Sequence, residues 1–303
     1  MIRGSVTEQH RVEAPGTAGR LTDAGPPALR AARLLSAVLL PLMAAAAAAG
    51  LGIDELYRET EPVTAMLRAY DLVTLVVAVP VLAVCLSPAG RGSPRAQLVW
   101  LGMLGYAGYT YAIYVFGTSF NAAFLLHVAL FSLAVFALVL ALGGLDVAAI
   151  AAGFGRRTPV RLVSALLALL GAGLGAMWVF YSVRFAVTGS PPEESLLVLP
   201  DTYLHLAYVL DLAFLVPTYL VAAVLLWRRH AWGYVLATGV AVFSVVYQVN
   251  YVAALLFQWR AGVPGSVAFD PQEPFVIALC VLAAGALLRS ASAARPSRTG
   301  RDG

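Results

Sequence analysis

Asp211 lies inside the apolar run 202–227 and Asp71 inside 64–87, positions where a membrane-crossing helix carries an acid only at a cost. A midplane aspartate costs roughly 2.5–3.5 kcal/mol on insertion scales unless it is protonated, paired or hydrated. Each acid is therefore a candidate to bind a cation or to exchange a proton. Other polar side chains cluster around them at helical spacing. Asp201, His205, Tyr208 and Asp211 follow at steps of four, three and three. Ser244, Tyr247, Gln248 and Tyr251 follow at three, one and three, so each set occupies one side of a helix. Tyr109, Thr110, Tyr111 and Tyr114 crowd the end of 96–117, Asn121 and His127 open 120–143, and Arg184 closes 160–186. Counting ~1.5 Å per residue puts Asp211 roughly 15 Å from the start of its run. Most of the other polar groups fall in the same half of their runs. The predicted site is a polar pocket drawing on Asp211, His205, Tyr208, His127, Asn121, Tyr111, Tyr114, Gln248, Tyr251, Asp71 and Arg184, between the third, fourth, sixth and seventh runs. Arg184 and the two histidines are the candidate partners of Asp211. Pro80 and Pro217, each following one of the acids, are read as helix kinks.

The elements that must hold these groups are eight apolar runs, near 30–52, 64–87, 96–117, 120–143, 160–186, 202–227, 231–257 and 273–289. Each approaches the ~20 residues that cross a ~30 Å hydrocarbon layer. Hydrophobic residues make up 60% of the chain and charged ones 12%, about half the charged share of a soluble domain. The expected fold is an all-α polytopic membrane bundle embedded in the lipid bilayer. The charges sort by loop. With the N-terminal tail taken as inside, inner segments hold 16 of the 20 arginines and 5 acids. Outer segments hold 4 arginines and 10 acids, with Asp71 counted there and Asp211 left within its run. That is the positive-inside pattern of a cell-membrane protein with both termini cytoplasmic, and it puts the polar pocket in the outer half of the bilayer. Residues 1–28 and 290–303 read as disordered tails. The first run is read as an uncleaved signal anchor; cleavage would leave seven spans. Gly171-x-Gly173-x-Gly175 and the run Ala44–Ala49 read as close-packing faces.

An internal repeat of four plus four parallel spans is expected from matches in the same order in both halves. Arg33-Leu-Leu-Ser36-Ala37 pairs with Arg161-Leu-Val-Ser164-Ala165, Asp71-Leu72 with Asp211-Leu212, and the tyrosines from Tyr109 to Tyr114 with Tyr247 to Tyr251. The stretch Asp71-Leu-Val-Thr-Leu-Val-Val, with Tyr109-x-Tyr111-x-x-Tyr114-x-x-Gly117-x-x-Phe120-Asn121, resembles a group of bacterial multi-pass membrane proteins that carry no assigned activity. The resemblance covers mainly the second to fourth runs. It implies a shared fold and no chemistry, and no functional residue is carried over from it.

Several functions are excluded or disfavoured. The chain has no lysine, so retinal or pyridoxal cannot attach as a Schiff base and no Walker A lysine exists. Zinc-protease, serine-protease and voltage-sensor patterns are absent, the basic residues are explained by topology, and no nucleic-acid partner is expected. Cys85 and Cys280 fall near opposite faces and are expected to be unpaired thiols. With no recognised catalytic motif, three readings stay open. The first is a transporter or small-molecule binding protein whose ligand, a cation among the candidates, sits at the polar pocket. The second is a non-catalytic subunit or scaffold. The third is a redox protein with His127 and His205 as haem b ligands at similar depth, although no cofactor at all is the plainer expectation.

Overall fold

Eight helices long and apolar enough to cross a membrane make up most of this computed structural model, which describes residues 26–190 and 196–291. They are α1 (Pro27–Gly52), α2 (Glu61–Leu86), α3 (Pro94–Gly117), α4 (Phe124–Gly144), α5 (Val160–Thr188), α6 (Asp201–Trp227), α7 (Ala231–Arg260) and α8 (Glu273–Ser290). The protein is an all-α, multi-pass membrane protein. Among the described residues there is no strand, only the isolated bridge between Phe154 and Ala291. The tails expected at 1–28 and 290–303 lie outside the described residues except at their inner ends, where α1 already begins at Pro27 and α8 runs to Ser290.

Helix starts follow local chemistry. Proline stands at the first or second position of α1, α2, α3 and α8, where its missing N–H breaks no bond. The Ser93 side chain caps α3 by accepting from the Ala96 N–H, and the His230 ring accepts from the Trp232 N–H at the start of α7. The sequence puts α4 at 120, but the helix begins at Phe124. Asn121 is the reason: its Oδ1 accepts from the Ala123 N–H and its Nδ2 donates to the Ser119 carbonyl, folding 118–123 into a turn.

Packing places α3 and α7 at the centre. α3 is the most buried of the eight, and α7 packs on α2, α3, α6 and α8. α3 and α7 approach closely because both are small at the crossing. A Cβ on Gly102 would lie 2.8 Å from the Gly239 carbonyl oxygen. On α5 the expected glycine face is real at two of its three positions. A Cβ on Gly171 would meet the Tyr219 Cβ at 2.7 Å and one on Gly175 would meet Val216 at 3.0 Å, whereas Gly173 faces open space.

Both halves share one neighbour pattern. In the first, α1 packs on α2 and α4, and α3 on α2 and α4; in the second, α5 packs on α6 and α8, and α7 on α6 and α8. Both prolines also act alike. Each stands two residues beyond a π-helical turn, Thr74–Ala78 before Pro80 and Asp211–Leu215 before Pro217. Proline cannot donate to the carbonyl four residues back, and its ring collides with that carbonyl. The chain widens by one residue, so that Val79 N–H bonds Thr74 O and Val216 N–H bonds Asp211 O, five residues back. Counted from this turn, Asp211 corresponds to Thr74, and Asp71 to Tyr208. The two acids are therefore displaced by about one helical turn and are not equivalents.

Candidate functional site

The predicted pocket resolves into two separate carboxylate sites at the end of the bundle that carries the 53–60, 118–123 and 261–272 connections. At the first, Asp71 on α2 is 3% exposed. Its Oδ2 accepts from the Tyr57 hydroxyl at 2.5 Å and its Oδ1 from the Tyr114 hydroxyl at 3.0 Å. Tyr114 also reaches the Leu67 carbonyl at 3.0 Å. Tyr57 comes from the loop between α1 and α2, so the carboxylate draws that loop down onto the bundle. Burial, and then the neighbouring Asp71 charge, hold the Tyr57 phenol well above its ordinary range. Gly50 of α1 lies against the carboxylate so closely that any side chain there would overlap it. His127 is buried beside this cluster, with its ring centroid 4.8 Å from that of Tyr114 and 6.3 Å from that of Tyr111. Its Nδ1 has no hydrogen-bond partner.

The second site is Asp211, wholly buried at the first residue of the π-turn in α6. Tyr109 of α3 donates its hydroxyl to Oδ1 at 2.7 Å, and Trp178 of α5 donates Nε1–H to Oδ2 at 2.9 Å. The Tyr208 ring packs against the Trp178 indole, tilted by 34° at 4.1 Å between centroids. Asp211 lines a cavity of about 110 Å³, walled by α2, α3, α5, α6 and α7 and by Leu197 and Leu199 of the segment before α6. That segment is held by one side chain. Gln258 of α7, wholly buried, accepts from the Val198 N–H at 2.9 Å and donates Nε2–H to the Val198 carbonyl at 3.0 Å and the Pro62 carbonyl at 2.9 Å. Val198 is thereby bonded like one residue of a strand, and its two leucine neighbours cover the cavity.

Between the two sites runs a buried bridge: Thr74 to the Tyr106 hydroxyl at 3.1 Å, and Tyr106 to Asn250 Oδ1 at 3.2 Å. It ties α2, α3 and α7 together.

The remaining predicted residues divide. Tyr111 is buried beside Tyr114 and His127, in the Asp71 cluster. Tyr251 lines the Asp211 cavity and donates to Asp270 at 3.0 Å. Gln248 turns to the neighbouring helix and donates to Glu273 at 2.8 Å. Asn121 bonds the local backbone and joins neither site. Arg184 lies 5.6 Å from the Tyr181 ring centroid, and His205 is exposed on α6. Neither is within ion-pair distance of Asp211, whose partners are Tyr109 and Trp178 instead. The reason lies in the geometry of α6: the polar side spaced four, three and three is wide, and only its deeper part, Tyr208 and Asp211, turns inward. The two histidines are likewise set apart, His127 buried on α4 and His205 exposed. Among the described residues no three histidine, cysteine or acidic side chains are grouped to hold a metal, and Cys85 and Cys280 are free buried thiols.

Trp178, Tyr57, Gly50 and Gln258 were not singled out from sequence. For Trp178 a signal existed. It lies ten residues before Thr188, the end of α5, and Asp211 lies ten residues after Asp201, the start of α6. In antiparallel neighbours equal counts mean equal depth, roughly 15 Å for both. Comparison with known proteins finds no matching family, no matching curated protein and no matching solved structure.

Proposed function

We propose that this membrane protein binds a small solute at Asp211 and carries it across the bilayer. The observation behind the reading is a wholly buried carboxylate that has no cationic side chain at ion-pair distance among the described residues and opens onto a cavity of about 110 Å³. Buried acids in membranes are expensive and mark solute or ion pathways. A purely structural acid has no use for a cavity beside it. At the Asp71 site, as at Asp211, both oxygens accept a hydrogen bond, here from Tyr57 and Tyr114, but Gly50 closes over the carboxylate. That favours a packing role for Asp71, so the scaffold reading applies to this one carboxylate. In the proposed orientation the arginine-rich connections and both termini face the cytoplasm and the Asp211 cavity opens toward the opposite side, as the segregation of the arginines supports. Each half of the bundle then supplies one wall of the site, a design shared by transporters built from parallel repeats.

Cysteine accessibility tests this. Cys85 and Cys280 are replaced by serine, and Ala207, which lines the cavity, by cysteine. A membrane-impermeant maleimide applied to intact cells is expected to modify Ala207→Cys from outside. Reagent reaching it from the cytoplasmic side in inverted vesicles as well would be the mark of alternating access. No modification from either side, with full modification after denaturation, would sink the proposal.

A further inference from the structure

We infer that the ligand of the Asp211 cavity is a small alkylammonium ion; this rests on the binding role proposed above. The sign comes first. Asp211 is wholly buried, and both of its hydrogen bonds come from neutral donors, Tyr109 and Trp178. The ion pair found among the described residues, Arg68 with Asp54, is elsewhere. Each carboxylate oxygen keeps acceptor capacity after one bond. An anion or a neutral solute would leave the charge uncompensated in a medium where that is costly, and a cation would neutralise it.

The walls then select the kind of cation. Tyr70, Tyr109, Trp178, Tyr203, Tyr247 and Tyr251 surround the space, and aliphatic side chains complete it. Aromatic faces carry negative electrostatic potential, and tryptophan binds cations best. Trp178 itself lines the space, with the Tyr208 ring packed against it at 4.1 Å between centroids. Tyr109 and Tyr247 meet edge to face at 87°, 5.3 Å apart, so they form a corner and not a closed stack. A cage of rings with one carboxylate suits an ammonium group clothed in methyls or methylenes. It suits a hard metal ion poorly, since calcium takes six to eight oxygens and magnesium retains its waters, and among the described residues Asp211 is the one carboxylate lining the space. The space of about 110 Å³ has room for a compact polyatomic ion.

The test uses the full-length protein in nanodiscs, with calorimetric titration at constant ionic strength. The probes are tetramethylammonium, methylammonium, sodium and tert-butanol, the last having the shape and heavy-atom count of tetramethylammonium without its charge. Saturable tetramethylammonium binding is expected, at least about tenfold tighter than tert-butanol, because a desolvated cation–π contact and a carboxylate both favour the charged form. Asp211→Asn is expected to weaken it about tenfold or more, and Tyr247→Leu, which keeps the carboxylate, about threefold. If tert-butanol binds as tightly as the ion, the ligand class is wrong and a binding cavity remains. If sodium binds and neither ammonium ion does, the class is likewise wrong and a cation site remains. If none of the four binds, the ligand class is overturned and the binding role loses its support as well. The comparison of charged and neutral probes is made on the unmodified protein, so it decides the question even if Asp211→Asn does not fold.

Discussion

Replacing Gly50 by alanine puts a methyl group where the Asp71 site has no room. The added Cβ would lie 1.9 Å from Asp71 Oδ2 and 2.7 Å from its Cγ. Ordinary contact near 3.5 Å requires the carboxylate to retreat by roughly 1.6 Å, the difference of 3.5 and 1.9. A shift of that size breaks the bond from Tyr57 and stretches the one from Tyr114. Hydrogen bonds between membrane helices average about 0.6 kcal/mol and reach about 1.7, so the two together contribute about 1–3. Overlap left unrelieved costs about 1–3 kcal/mol, and the two penalties partly replace each other. Alanine is better than glycine in a helix by about 1 kcal/mol. The net expectation is a loss of about 1–4 kcal/mol, or roughly 2–6 °C of melting temperature for a chain of this size. The assay is thermal unfolding in detergent. Gly52→Ala, two residues on and facing open space, is the control and should be neutral or slightly stabilising. A double substitution with Tyr57→Phe should be less than additive, because the Tyr57 hydroxyl has already lost its acceptor. If Gly50→Ala melts with Gly52→Ala, the close approach of α1 to Asp71 is not what holds this end of the bundle together.

Two further outcomes follow from the same contacts. Burial and the Asp71 charge raise the folded-state pKa of Tyr57 above its unfolded value near 10. The folded chain therefore keeps a proton that the unfolded chain releases, and the resulting stability is complete below about pH 10 and lost as pH rises beyond it. Tyr57→Phe should make the alkaline fall in melting temperature shallower, and an identical slope in both proteins would contradict the assignment. Gln258→Leu removes three hydrogen bonds and leaves Val198 without its partner. Amide exchange at Leu197–Leu199 is expected to accelerate tenfold or more, for a local loss of about 2 kcal/mol, while exchange in α3 and the rest of α7 stays slow. Unchanged exchange across 197–199 would mean that this segment is held by something other than Gln258.

The acids were legible in the sequence and their partners were not. Asp71 and Asp211 stand out because any charge inside an apolar run is expensive, a property of the residue and its depth alone. By charge, Arg184 and the two histidines, His127 and His205, are the partners the sequence offers Asp211. In the folded bundle the acid accepts instead from Tyr109 and Trp178, which lie 102 and 33 residues away. Which helix faces which is set by shape: Gly171 and Gly175 bring α5 onto α6 at Tyr219 and Val216, and that docking carries Trp178 to the carboxylate. The comparison of the two halves shows the same division. The sequence aligns the two acids, but the prolines set the register of the π-turns and displace the acids by about one turn.

Composition, hydropathy and arginine placement determined a helical, eight-span membrane chain, because in hydrocarbon each span must satisfy its own backbone hydrogen bonds and can do so before it meets a neighbour. Helix starts were determined locally too, by prolines and by the Ser93 cap. The contacts between spans were not. The predicted pocket became a sealed site at Asp71 and a cavity at Asp211, because side-chain contacts between helices depend on rotation about each axis and on small residues at the crossings, and neither is written in any one segment. Gln258 makes the point in a single side chain: it is one glutamine near the end of a helix by sequence, and the fastening of the 196–200 segment over the Asp211 cavity only once α2, α7 and that segment have come together.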